Sequence, residues 1–551
     1  MFESDRMKRQ TAYGLIIFTA LISHGLLLFN DGIYLDGWLT YSKLVERNWD
    51  SLFSWLMQAG LPIEFYFHRF MDYFPGFIFK FKLVAFLSIL LSAILVYKIC
   101  DESRLASQWE SLCIALISLV YPAFQIPMEI TSTSDLVSYC FFLLAVLLAV
   151  WSEQASGAVH YSLRACSAVL FFLGFNLNSL LVFYFGFLLF LLILERQRKA
   201  GTWREVLARF LPRRLGFLLL PFMYWIAKEV FFPRHGDYSD LNRFQFSPTA
   251  LLGKSGLFIV NAIYGQLNNA LEMMLTQPAL TLFILLAIYW ISVAFKMGST
   301  FISDNQRNPY GLITYGGVLL ALGAFPYIAV GVAPTLHGFN TRHAILIGLP
   351  MAIILTGTVR LIFSQGDTGL SKTARAVLAT LIVAFSMATI DNYFAWQARW
   401  VKDRSIMENL AHMSDFKRIS VFWVEDEFQL RGAPDYAVYD WGSMFKQVWG
   451  GESRIGLNTQ FFTSKDLADR ESFSQTWALP IYNLSELDPA GCQAVLNIRR
   501  GRLASPDDSK LAVRYLFLRF LAPEQMTQFL EGVTTIHVGP LLAPEAVHCR
   551  T

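Results

Sequence analysis

The chain has 551 residues, of which 54% are hydrophobic, 15% aromatic and only 16% charged, against about 25% charged in ordinary soluble domains. Its 45 Lys and Arg balance 42 Asp and Glu to a formal +3; that faint excess excludes nucleic acid as a partner, since the electrostatic footprint of such binding is a concentrated basic patch. The apolar content excludes a disordered chain, and six cysteines are too few for a disulfide framework.

Eleven stretches come near the roughly 20 apolar residues that cross a bilayer. They begin near Thr11, Lys82, Ser111, Leu136, Cys166, Leu180, Leu215, Leu280, Leu312, Ala344 and Ala376. The first is too long for a signal peptide and lacks a small-residue cleavage site, so it is predicted to be an uncleaved anchor. The fifth carries Asn176 and Asn178 close to the sixth; fusion of the two would put every later loop on the other side. With the N-terminus inside, the cytoplasmic segments hold 18 Lys and Arg and the longer outer segments nine, the expected positive-inside bias. Within them, residues Gln197 to Arg214 are basic and amphipathic and belong on the anionic cytoplasmic leaflet.

An odd span count places everything after about Asn392 outside. That tail holds 17 Lys and Arg and 19 Asp and Glu, an ordinary soluble composition. Strands are predicted over Arg418–Val424, Ala494–Ile498 and Thr535–Val538, and a short helix over Tyr439–Val448. The expected fold class is therefore a mainly α polytopic membrane protein: residues 1–392 form a bundle of about 11 transmembrane helices and residues 393–551 a small periplasmic α/β domain. Cys492 and Cys549, the only cysteines of the tail, either pair in an oxidising compartment or stay unrelated thiols. No CxxC or His/Cys cluster marks a zinc site.

Chemistry in such a chain belongs in loops too polar for lipid, because an unpaired charge in the bilayer costs about 2.5 to 3.5 kcal/mol or more. The first outer loop, Asn30 to about Phe81, opens with NDGIYLDGW, which sets Asp31 and Asp36 just behind the first span. Two amphipathic aromatic stretches follow, Trp38–Trp55 and Ile63–Phe74, the second placing Glu64, His68 and Arg69 on roughly one helical face. The second outer loop ends in TSTSD with Asp135, and Glu129 lies upstream. His337, Arg342 and His343 sit at the mouth of the tenth span; Arg234 and His235 follow the seventh, near Lys228 and Glu229. Each has a plain alternative: capping for Asp31, Asp36 and Asp135, interface snorkelling for Arg342, and solvated loop charge for Arg234 and His235.

A first span followed at once by an acid, a long outer loop with interfacial helices, many further spans and a soluble outer C-terminal domain together resemble the GT-C superfamily of multispanning glycosyltransferases. That resemblance implies a GT-C-like bundle in a bacterial inner (cytoplasmic) membrane, and an inverting transfer of sugar from a polyprenyl phosphate to a glycan, lipid or protein acceptor on the periplasmic face. Asp36 would be the first-loop acid, acting as general base or as a ligand of a divalent metal (Mg or Mn), with Asp31 second choice. Arg342, with His343 and His337, would hold donor phosphate. Asp135, Glu64, His68, Arg69, Arg234 and His235 would be further substrate contacts. Where many relatives carry two adjacent acids, this chain has Asp36 followed by Gly37. The absence of a Gly-rich phosphate loop favours a lipid-linked donor over a nucleotide sugar. A cell-envelope polysaccharide polymerase or ligase, a lipid-linked glycan flippase and a noncatalytic scaffold are the rival readings.

Overall fold

A computed structural model describes residues 2–198, 202–239, 243–245, 247–277, 281–282, 284–285, 309–363, 372–431, 436–461, 482, 484, 486–488 and 491–540. It is a mainly helical, multi-pass membrane protein with one small sheet. Among the described residues, seven helices are long and apolar enough to cross a bilayer, and two apolar helices are shorter.

Helix α1 (Phe2–His24) runs on through a 3-10 turn to Phe29. Three short helices fill the first loop: α2 (Asp36–Val45), α3 (Trp49–Gln58) and α4 (Pro62–Met71). The sequence pattern read Trp38–Trp55 as one stretch. It breaks because Arg47 adopts φ +54° and the Asn48 side chain caps the next helix through the Ser51 N–H at 3.1 Å. The spanning helices α5 (Phe77–Glu102), α7 (Ser132–Ser152), α8 (Gly157–Gly174) and α9 (Leu180–Arg198) follow, with the shorter α6 (Gln108–Val120) between α5 and α7. The fifth and sixth predicted spans are thus separate helices, parted by the turn that holds Asn176 and Asn178.

Helix α6 starts at a capping box formed by Ser107 and Glu110, and its 13 residues rise only about 20 Å, too little for a hydrocarbon core of about 30 Å. The third and tenth predicted spans, α6 and α15, are the two short ones. Helices α10 (Trp203–Arg213), α11 (Leu215–Phe231), α12 (Pro248–Ile259), α13 (Gly265–Thr276), α14 (Pro309–Ala329) and α15 (Gly348–Phe363) complete the bundle. Helices α12 and α13 join through a π-turn at Val260–Tyr264. The predicted span near Leu280 lies mostly outside the described residues.

Helix α16 (Lys372–Ala411) is 40 residues long. The domain boundary placed at Asn392 falls inside it: the helix leaves the bundle and continues beneath the C-terminal sheet. That sheet has strands β1 (Val421–Asp426), β2 (Ile455–Asn458), β3 (Gln493–Arg500) and β4 (Thr534–Pro540) in the order β2-β1-β3-β4. β1 is parallel to both neighbours, and β4 is antiparallel to β3. Helices α17 (Val438–Trp449), α18 (Asp508–Leu521) and α19 (Met526–Val533) complete the α/β unit. The predicted strands and helix of the tail are all present within a few residues. Cys492 is disulfide-bonded; Cys549 lies outside the described residues.

One hydrophobic core runs unbroken from the bundle into this unit. Its joint is aromatic: Tyr34 meets Trp396 edge-on at 4.8 Å and Trp38 meets Trp400 at 6.0 Å. At the far end of the bundle, Arg9 pairs with Asp101 and Glu102, and Arg360 with Glu110 at 2.7 Å. The first loop, the loop before α7, the loop before α15 and the C-terminal unit share the opposite end.

Candidate active site

The NDGIYLD segment is pinned before any chemistry is asked of it. The Asn30 amide donates to the Tyr34 hydroxyl at 2.8 Å and to Gln397 at 3.0 Å, and the Tyr34 hydroxyl donates to the Trp396 carbonyl at 2.8 Å. Leu35, immediately before α2, is held at φ +49°, ψ −130°, a conformation costly for a branched side chain and typical of positions that surrounding structure over-determines. It delivers Asp36 as the first residue of α2.

The side chain of Asp36 is 27% exposed. Its Oδ1 accepts a hydrogen bond from the Tyr439 hydroxyl at 2.6 Å, and its Oδ2 faces Arg342 Nη1 at 3.9 Å. Burial, with the Asp36 carboxylate next in effect, holds the Tyr439 hydroxyl well above its usual titration range, so it remains a donor. Three distant parts of the chain therefore converge on one carboxylate. Arg342 lies over the Phe339 ring at 4.0 Å, and its loop is fixed from behind. The Gln125 and Gln266 amides both donate to the Leu336 carbonyl at 2.9 Å, and Thr341 accepts the Gln125 N–H at 3.2 Å.

Glu129, upstream of Asp135 in the second outer loop, is a close neighbour of this site. It is buried, one oxygen accepting from the Thr131 hydroxyl and from the Ser132 N–H, the other without a hydrogen-bond partner. A Cβ added at Gly37 would lie 2.9 Å from that second oxygen. The single acid followed by glycine thus has a steric reason: Glu129 occupies the space a second side chain would take, and brings a carboxylate to the place by another route. Replacing Gly37 by Ala is expected to lower stability by about 1 to 3 kcal/mol through overpacking, read as a drop in the thermal unfolding midpoint. A midpoint equal to wild type would show that the contact yields freely.

Burial first, then the Asp36 charge, raises the Glu129 carboxyl to about 7. The folded protein therefore keeps a proton that the unfolded chain releases above its ordinary value of about 4.5. The associated stability is complete below that pH and is lost as pH rises through 7. Between pH 5 and 8 the unfolding midpoint of wild type is expected to fall relative to that of Glu129→Gln; parallel curves would refute the assignment.

The other predicted residues divide clearly. Asp31 accepts the Tyr515 hydroxyl at 2.8 Å and pairs with Arg519 at 3.0 Å, so it latches the loop to α18. Glu64 and His68 stand 3.7 Å apart, both buried, and Asp135, at the head of α7, interacts electrostatically with Glu64 and Arg342. His343 lies beside Tyr327, ring centres 5.0 Å apart and tilted by 53°; burial, reinforced by Arg342, lowers it to about 3, so it stays neutral. His337 contacts Gln125 at 3.3 Å and belongs to the wall behind the Arg342 loop. Arg69 is exposed and lies over the Trp49 ring at 4.2 Å. Arg234 packs against Gly60, and the His235 N–H donates to the Gln58 carbonyl at 3.2 Å; both fasten the later loop to α3. Lys228 donates to Asn178 at 2.7 Å.

Tyr439 was missed as a site residue: the sequence marks its helix but cannot show that the helix reaches back 403 positions. For a divalent metal, the hard oxygens of Asp36 and Glu129 are of the right type, and the unbonded Glu129 oxygen is compatible with one. The three-donor grouping found among the described residues is Glu408, His412 and Glu531 in the C-terminal unit, away from Asp36. Behind the Arg342 loop lies a small cavity lined by uncharged groups, including His24, Gln125, Asn392 and Tyr393.

Comparison with protein-family models, characterised proteins and solved structures finds no match to this chain.

Proposed function

We propose that the protein is an inner-membrane glycosyltransferase of GT-C-like architecture. It moves a sugar from a polyprenyl-phosphate carrier to a glycan, lipid or protein acceptor on the periplasmic face, with an N-terminus inside and about eleven spans, the two short helices, α11 and the stretch near Leu280 included. The observation that carries this reading is the Asp36–Arg342 pair, a carboxylate and a guanidinium 3.9 Å apart at the common end of the bundle, brought together from residues that sequence chemistry had singled out separately.

A sugar or protein hydroxyl is a weak nucleophile until a base takes its proton. The partly exposed Asp36 carboxylate does this as the new glycosidic bond forms, and the Tyr439 hydroxyl keeps it oriented. The carrier phosphate departs as an anion, which Arg342 grips through its planar fork of donors. At 3.9 Å the guanidinium is not locked onto Asp36 by a short bond and is free to turn to phosphate. Glu129, with its raised proton affinity, holds a proton beside Asp36 and spares the site a second full negative charge. Where a divalent cation is bound, Asp36 and Glu129 would hold it, and it would add positive charge opposite the leaving phosphate.

The reading is tested by incubating the purified protein with labelled polyprenyl-phosphate sugars, with and without chelator, and assaying for a new glycosidic product. Carrier movement across vesicles without product would favour a flippase instead.

A further inference from the structure

Helix α4 carries Glu64 and His68, and Asp135 at the head of α7 interacts electrostatically with Glu64. His68 is 1% exposed, yet neither ring nitrogen makes a hydrogen bond. Its Nε2 is 3.7 Å from Glu64, beyond hydrogen-bond reach. A buried imidazole with both nitrogens unsatisfied is costly to keep and requires an explanation from outside the packing of α4. Asp135 is only partly buried and interacts with both Glu64 and Arg342, so the group is electrically continuous with the Asp36 site. Phe67 and Phe81 stand beside the imidazole with ring centres at 5.6 Å.

We infer that Glu64, His68 and Asp135 form the subsite that recognises the hydroxyl groups of the transferred sugar. Carboxylates accept from two neighbouring hydroxyls at once, the imidazole adds a ring N–H donor, and the flanking phenylalanine rings suit the C–H face of a pyranose or furanose. Phosphate is the wrong ligand, because two carboxylates repel it. A single metal ion is also wrong, since Glu64, His68 and Asp135 are not grouped closely enough to share one, as Glu408, His412 and Glu531 are. The inference rests on the glycosyl-transfer reading and deepens it by assigning sugar selection to residues other than the base.

The test is direct binding of the full-length protein to bare polyprenyl phosphate and to polyprenyl phosphates carrying a panel of hexoses and pentoses. Wild type is expected to bind at least one sugar-bearing lipid about tenfold or more tighter than the bare lipid. Glu64→Gln, Asp135→Asn and His68→Gln are each expected to bring that ratio towards one. Asp135→Asn, at a partly exposed position, serves if His68→Gln fails to fold. A ratio unaltered in Asp135→Asn and Glu64→Gln, or no sugar preference in wild type, overturns the inference. Failure of the glycosyl-transfer reading is a separate result: sugar-dependent binding with no glycosidic product from any acceptor.

Discussion

Asp36→Asn is expected to reduce sugar transfer by about 10² to 10⁴-fold, the usual contribution of a positioned general base, with expression and unfolding midpoint close to wild type. The substitution is nearly isosteric, and its amide oxygen can still accept from Tyr439, so the loop retains the bond that orients it. What is lost is the charge that draws the proton and opposes Arg342. Tyr439→Phe is the informative companion: it removes the orienting hydroxyl but leaves the base, so a smaller loss is expected. A variant Asp36→Asn that turns over at the wild-type rate would eliminate this carboxylate from the chemistry.

The second large effect is structural and lies where the bundle meets the soluble unit. Arg399 on α16 is 4% exposed and bonds Asp403 at 2.9 Å, with Asp440 of α17 at 3.6 Å; its guanidinium also lies over the Tyr436 ring at 3.3 Å. Next to it Lys402 bonds Asp426 of β1 at 2.5 Å and the Phe428 carbonyl at 2.6 Å. Arg399→Met strands two buried carboxylates without their cation. Removing one partner of such a group typically costs 3 to 5 kcal/mol, so the variant is expected to expose the C-terminal unit to limited proteolysis and to lose cooperative unfolding. Intact resistance to protease would show that the network is dispensable. Because α17 also carries Tyr439, the same variant should release Asp36 from its orienting bond.

How far the sequence disclosed this arrangement differs from one element to the next. The edges of β1, β3 and β4 were legible because β-branched and aromatic runs are bounded by turn residues. β2 was not, since Ile455–Asn458 is four residues long and contains a glycine. Apolar runs marked the spanning helices well but not their lengths: α6 and α15 are followed or preceded by apolar residues that hydropathy adds to the helix and the backbone does not. The chain after about Asn392 read as lying outside the membrane; that the helix carrying Asn392 runs on unbroken to Ala411 is what composition does not show. At the site, residue types identified Asp36 and Arg342 as candidates, but their proximity is a tertiary fact no spacing rule contains. Glu129 was undervalued because its importance is steric, visible only once Gly37 is seen against it. His337, Arg234 and His235 contact neighbouring loops, which no spacing in the sequence shows: His337 meets the Gln125 amide, Arg234 packs against Gly60 and the His235 N–H bonds the Gln58 carbonyl.

Helix α16 passes from the bundle into the soluble unit without a break, and this makes the distal sheet a rigid extension of a single rod. Lengthening that rod by one residue between the membrane and Arg399 would swing everything beyond it through about 100° and lift it by about 1.5 Å. Two added turns, about seven residues, would nearly restore the heading but raise the sheet by about 10 Å, out of reach of the loop below. Only one phase and one height bring Tyr439 onto Asp36, so the count of residues along this segment itself sets that contact, independent of what those residues are.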